Sequence, residues 1–268
     1  MAHIIAHRGA RSLAPENTLA AARRAREAGA DLWETDVTVT KGGELVLLHD
    51  ESLTRTTDVR DRFPNREPWH CSAFILREIR LLDAASWFEK ADPFGQIAAG
   101  VVGKEDLSAY RGERIPTLRE ALQFTRDTSF PVNLELKRLP PALQGFPLVE
   151  RVLAMIETLG MDHGLVTISS FHHEWLREVR TRTTLIAVQA LIGDSEADPP
   201  DWGGDLEFGT YNVHSTLIDE EQVRLVTQRG ISLNLFTVNE EEDLLRFTRA
   251  GVTGLFTDFP QRAVALLR

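Results

Sequence analysis

Apolar residues come in short runs separated by longer amphipathic segments. His3-Ile4-Ile5-Ala6-His7 reads as a buried strand. Asn17 or Thr18 then caps a helix carrying Leu19, Ala20, Ala22 and Ala25, with Gly29 just past its end. The apolar run at 33–40 is separated from 45–50 only by Lys41-Gly42-Gly43 and Glu44. That gap is too short for a parallel crossover, so the two runs are expected to pair as a hairpin on a Gly-Gly turn. Counting back from the turn sets His49 beside Thr35. Further strands are expected at 131–137, 165–169, 184–191, 210–213, 231–238 and 254–257. Helices fall between them at 118–125, 146–159, 173–180, 219–229 and 240–250. This alternation predicts an α/β fold, and at this length a closed (β/α)8 TIM-type barrel forming one domain over 1–268. Nine strand-like runs compete for eight barrel positions; the hairpin explains the surplus without showing which run lies outside. Residues 51–115 break the rhythm with Pro64, Pro68 and Pro93, and read as an insertion or lid after the second and third strands.

The charged positions on these strands carry the chemistry. Glu34 and Asp36 are two apart, so their carboxylates leave one face of a strand. Two acids on one face repel unless a cation lies between them, and hard divalent cations take oxygen ligands. Glu135 and Lys137 repeat the spacing on a later strand. In a β/α barrel reactive groups gather at the C-terminal strand ends, where His7 and His49 also fall. Three carboxylates suit a Mg²⁺ or Ca²⁺ ion, and two histidines suit paired proton transfer. Arg8 and Lys137 add positive charge for an anionic group. Together these fit a phosphate ester better than a neutral substrate.

Other polar residues carry weaker signals. His3 shares the face of His7 and is expected in the core. His70, His163, His172 and His173 read as surface or capping residues. Cys71 has no paired base, and Pro15-Glu16-Asn17-Thr18 reads mainly as a helix cap. No glycine-rich dinucleotide or Walker-type loop is present.

Composition narrows the partners. The formal net charge is −10 and there is no long basic run, which argues against nucleic acid or an anionic membrane as the main partner. With 43% hydrophobic residues the chain can build a sizeable core. Its single cysteine excludes an intramolecular disulfide, and no run approaches the roughly 20 apolar residues of a membrane span. A cytoplasmic location and no stable membrane insertion are the expectation.

In order and spacing, His7-Arg8-Gly9, Pro15-Glu16-Asn17-Thr18, Glu34-Thr35-Asp36-Val37, Thr40-Lys41 and His49-Asp50 resemble the glycerophosphodiester phosphodiesterases. The likeness continues through Leu53-Thr54-Arg55-Thr56-Thr57, Ile115-Pro116-Thr117-Leu118, Glu135-Leu136-Lys137, Ser169-Ser170-Phe171, Phe236-Thr237-Val238-Asn239 and Thr257-Asp258-Phe259-Pro260. The resemblance implies a β/α barrel with a small insertion after the His-Asp strand. It implies His7 and His49 as acid and base, and Glu34, Asp36 and Glu135 as ligands of Ca²⁺ or Mg²⁺. It implies Arg8 and Lys137 as phosphate contacts, and hydrolysis of a small-molecule glycerophosphodiester to glycerol 3-phosphate and an alcohol. Phe236 stands where the family usually has tryptophan, which keeps an aromatic wall without an indole donor. The stretch 89–114 is longer than the usual insertion. Three rivals are a lysophospholipase D on the same site, a non-catalytic binding barrel, and an unrelated barrel enzyme using Lys137 as base. An apolar stripe on the insertion, drawn from Trp69, Phe74, Ile75, Leu81, Leu82, Trp87 and Phe88, would favour the first.

Overall fold

The computed structural model describes residues 1–193 and 200–268. Among the described residues nine strands are formed: β1 (His3–Ala6), β2 (Leu32–Val39), β3 (Leu45–Leu47), β4 (Val132–Leu136), β5 (Val166–Ser170), β6 (Ala187–Ile192), β7 (Thr210–His214), β8 (Ser232–Phe236) and β9 (Gly254–Thr257). Eight of them run parallel in the circuit β1-β2-β4-β5-β6-β7-β8-β9, and β9 pairs with β1 to close a barrel. The ninth, β3, is the run outside. It pairs antiparallel with the far end of β2, Val37 opposite Leu47 and Val39 opposite Leu45. β2 serves both structures because it is long: its first half lies in the barrel and its last residues project beyond to hold the hairpin. Gly43, at φ +85°, turns the chain between them. Leu48 N–H donates to the Asp36 carbonyl at 3.0 Å, which continues the register to set His49 beside Thr35.

Helices between the strands are amphipathic and bury one stripe. In Leu118–Thr128 the buried positions are Leu118, Ala121, Leu122 and Thr125, a helical spacing. Thr117 and Glu120 form a capping box at its start. Trp33, pointing out of the barrel, meets this helix edge-on at Phe124 and donates its indole N–H to Thr125 Oγ1 at 3.3 Å. A closing helix, Pro260–Leu267, packs back near β1 and is absent from the sequence reading above. His3 also departs from expectation. It is the first residue of β1, at the lower rim, and its side chain is 63% exposed near Asp31. Among the described residues no helix is long and apolar enough to cross a membrane.

Residues 51–115 form short helices, Val59–Arg62, Leu76–Ile79, Ser86–Ala91 and Lys104–Tyr110. Phe74, Ile79 and Leu82 from this segment share a separate buried cluster with Val46 and Leu48 of the hairpin. The hairpin thus has one face toward the barrel and one toward the insertion.

The barrel interior is polar for its fold. Asn133, Asn212 and Ser169 are buried where such barrels usually carry branched apolar side chains. Asn234 Nδ2 donates to Asn212 Oδ1 at 2.8 Å. Gly254 makes room for them: a Cβ there would lie 2.6 Å from Asn234 Oδ1.

Gly9 closes the first turn at φ +78°, and a Cβ on it would lie 2.6 Å from the Ala21 backbone. Gly9→Ala is expected to lower the unfolding free energy by about 2–4 kcal/mol, from backbone strain plus steric overlap. Urea denaturation measures this; a loss below about 0.5 kcal/mol, the range of neutral surface changes, would contradict the close approach.

Candidate active site

Glu34 and Asp36 point into the barrel from β2, and Glu135 stands beside Asp36 on β4, its register partner. Oxygens of the three carboxylates lie within 4.8 Å of one another. Glu34 is 2% and Asp36 1% exposed, so water does little to separate their charges. Burial, together with Asp36 and Glu135, pushes the Glu34 carboxyl well above the ordinary range. Burial also raises Glu135, against the pull of Lys137. Asp36 moves the other way: burial opposes its charge, but Lys137 and Arg8 hold it ionised, well below the usual carboxylate range. Glu34 Oε1 and Asp36 Oδ1 are buried without a hydrogen-bond partner among the described residues. Two orphaned oxygens in an all-oxygen donor set fit a hard divalent cation.

Two basic groups face this cluster. Lys137 Nζ lies 2.5 Å from Glu135 Oε1 and 3.4 Å from Asp36 Oδ1. Those two carboxylates outweigh burial and raise the lysine pKa, so it stays charged. Arg8 sits at φ +56°, a costly conformation for a long side chain that its bonds enforce. Its backbone N–H donates to Glu34 Oε2 at 2.8 Å. Its Nη1 donates to Glu16 Oε1 at 2.9 Å, and its Nε lies 3.4 Å from Asp36 Oδ2.

Each histidine is held at Nδ1 by a carboxylate, which leaves Nε2 for the pocket. His7, following β1, donates to Asp258 Oδ1 at 2.8 Å. Asn239 Nδ2 fixes the other Asp258 oxygen at 2.8 Å. Burial lowers the His7 pKa, and the Asp258 bond restores part of the loss. His49 donates to Asp50 Oδ1 at 2.7 Å, and Asp50 is itself gripped by Arg55 Nε at 2.6 Å. Burial works against the charge on Asp50, but His49 and Arg55 hold it well below the usual range.

The helix-cap motif does more than cap. Thr18 does accept from Ala21 N–H, but Glu16 and Asn17 turn back to the site. Asn17 Nδ2 donates to Asp36 Oδ2 at 2.8 Å, while its Oδ1 accepts from Thr35 Oγ1 at 2.7 Å and from the Asp36 N–H at 3.2 Å. Glu16 gathers Arg8, Arg11 and Arg55. Burial disfavours its charge, but the Arg55 bond and the charges of all three arginines hold it down at about 2.

A cavity of about 200 Å³ opens above these groups. His7, Arg8, Glu34, His49, Glu135, Lys137 and Phe236 all line it; Asp36 lies just beneath, against Lys137 and Arg8. The structure therefore brings every site residue expected from the sequence to one mouth. It adds Glu16, Asn17, Arg55, Asp258 and Asn239 as supports, and Ser169, Phe171, Leu191 and His214 as walls. His214 had one signal, its place at the C-terminal end of a strand. A second cavity of about 240 Å³ shares His49 and Lys137 with the first and runs between Glu51, Ser72 and Pro140. His70, His163, His172 and His173 do not line either cavity, and Cys71 is a buried wall whose thiol burial pushes up to about 12.

A family model described as the glycerophosphoryl diester phosphodiesterase family matches residues 7–262. The chain is 33% identical over 274 residues to a glycerophosphodiester phosphodiesterase of Caldanaerobacter subterraneus, covering 99% of this chain and 97% of that one. It is 32% identical over 267 residues to one of Bacillus subtilis, covering 96% and 83%. Among solved structures, a phosphodiesterase from Oleispira antarctica in complex with its product sn-glycerol 3-phosphate superposes with a TM-score of 0.77. That chain is 28% identical; the match covers 99% of this chain and 96% of the other.

Glu16 is the clearest test of the supporting ring. Its folded pKa of about 2 lies below the ordinary 4.5, so the stability it adds is present above pH 4.5 and is lost as pH falls toward 2. Glu16→Gln strands three arginines and is expected to cost about 3–5 kcal/mol at pH 7. The gap to the parent should narrow through that acid window in urea titrations; a pH-independent gap would contradict the ion pairing.

Proposed function

Because the chain belongs to the glycerophosphoryl diester phosphodiesterase family, we propose that it hydrolyses a glycerophosphodiester to glycerol 3-phosphate and an alcohol. The observation that carries this reading is one pocket in which two carboxylate-held histidines face three buried acids, Arg8 and Lys137. A neutral substrate would leave the two basic groups and an ion without an anion to meet.

Glu34, Asp36 and Glu135 would hold a divalent cation, Mg²⁺ or Ca²⁺, which when bound supplies charge stabilisation for the phosphoryl oxygens. Lys137 and Arg8 add fixed positive charge on the same side. His7 is kept neutral by burial, and with Nδ1–H on Asp258 it offers Nε2 as the base for the attacking oxygen. His49, oriented by its Nδ1 bond to Asp50, gives a proton from Nε2 to the leaving alcohol oxygen as the P–O bond breaks. The attacking oxygen is that of water, or first the glycerol 2-hydroxyl with a cyclic phosphate to follow; the net products are the same. Because the chain carries a net charge of −10, attraction of the anion rests on these local cations.

Residues 51–115 are assigned the wall of the second cavity, through which the alcohol would leave. Phe74 and Leu82 of that segment are buried against the hairpin and Phe88 is buried in the main core, so they are withdrawn from the apolar stripe that an acyl-bearing substrate would call for.

Purified protein should release glycerol 3-phosphate from glycerophosphocholine with Mg²⁺ or Ca²⁺ and lose this with EDTA. His7→Ala and His49→Ala should each lower kcat by about 10²–10⁴-fold. Full activity in either variant would place the proton transfer elsewhere.

Cation binding should also release protons, since Glu34 holds its proton well above the ordinary carboxylate range and must give it up to bind. Affinity therefore rises with pH. Calorimetry in two buffers of different ionisation enthalpy measures the release, which Glu34→Gln should reduce; a buffer-independent heat would contradict the assignment.

A further inference from the structure

His214 is a half-buried histidine that lines the cavity from the strand opposite the acids. In the circuit β1-β2-β4-β5-β6-β7-β8-β9, β7 is four strands from β2 in either direction. A substrate with its phosphate against β2 and β4 extends across the mouth toward it. The walls on the way are apolar: Phe171, Leu191, Phe236 and Phe256. Phe236 meets Phe171 edge-on at 6.0 Å and Phe256 at 6.3 Å. Among the described residues, the polar ones that line the cavity from β5 to β9 are Ser169, Thr237 and His214. Ser169 is the register partner of Glu135, and Thr237 Oγ1 lies 3.5 Å from His7 Nδ1, so both belong to the catalytic side. Among the described residues His214 stands alone on the far side.

Its tautomer follows from its neighbours. The Thr216 backbone N–H donates to His214 Nδ1 at 3.4 Å, and Thr216 Oγ1 lies 2.8 Å from the same atom. A backbone N–H can only donate, so Nδ1 is the acceptor and the neutral ring carries its proton on Nε2. The ring is fixed edge-on to Phe236 at 5.5 Å. Resting on the phosphodiesterase reading above, we infer that His214 Nε2–H is the donor that recognises a free hydroxyl of the glycerol moiety. It therefore selects unacylated glycerol over groups without that hydroxyl. An apolar wall alone discriminates weakly by shape, whereas a donor that the bound substrate covers penalises a partner that leaves it unpaired.

The test compares glycerophosphocholine with propyl phosphocholine, which keeps the phosphate and the alcohol but lacks both glycerol hydroxyls. The readout is the ratio of kcat/KM for the two diesters in the parent, His214→Phe and His214→Gln. His214→Phe should lower the ratio about tenfold, mainly through KM of the glycerol substrate, and His214→Gln, which keeps a donor, should recover part of it. A ratio within about twofold of the parent in His214→Phe, or equal losses in both variants, would overturn the assignment. The parent alone gives a second measurement: sn-glycerol 3-phosphate should inhibit about tenfold more tightly than propyl phosphate, and equal inhibition would overturn hydroxyl recognition without any variant. A parent that hydrolyses neither diester overturns the phosphodiesterase reading itself, an outcome distinct from an active parent with an unchanged ratio.

Discussion

Three carboxylates buried side by side at the end of a barrel are an electrostatic problem, and much of the surrounding structure answers it. Glu34 and Asp36 share a face of β2 because strands repeat every two residues, and the parallel register with β4 adds Glu135. Burial and their mutual repulsion push Glu34 and Glu135 above the ordinary carboxylate range. Arg8 and Lys137 offset part of the charge, and each is in turn positioned. Arg8 is bent into the left-handed region and tied to Glu16, which is tied to Arg11 and Arg55, which reaches Asp50 behind His49. A single ionic chain thus runs from the acid cluster to one of the two histidines. The other histidine belongs to the same chain through Arg11, whose guanidinium lies 3.6 Å from Asp258.

The fold was legible where local pattern and tertiary demand agree. The short gap at 41–44 allowed only a hairpin, and its register put His49 level with the acids, as the Leu48–Asp36 bond now shows. The alternation from residue 118 onward gave the six parallel strands β4 to β9, though the reading ran β4 and β8 long at their ends. Rim residues such as Lys137 and Thr237 leave the ladder to face the mouth, and apolarity does not register that change. The helix Pro260–Leu267 was missed because Thr257-Asp258-Phe259-Pro260 drew attention as a motif. Proline at its first turn was in fact a start signal. His3 was misplaced because a strand face says nothing about how far along the barrel a residue sits.

The site was legible in its acids, histidines and bases, all at strand ends with simple spacing. Its supports were not. Asp258 lies 251 residues from His7 and Glu16 lies 39 from Arg55, so no local periodicity links them. Asn17 was hidden by a cap motif that satisfies two roles at once: Thr18 closes the helix while Asn17 holds Asp36. His214 offered only its position on β7, and its meaning depends on the closure that sets β7 across from β2.

The claim at the centre of this account is that the acid cluster is built for a cation and an anion together. Anomalous diffraction from crystals grown with Mn²⁺ and sn-glycerol 3-phosphate tests it most directly. The account predicts one strong peak among Glu34, Asp36 and Glu135, with the phosphate between it and the two histidines. A cluster without a peak, Lys137 still closed on Glu135 and Asp36, and phosphate bound elsewhere would contradict it.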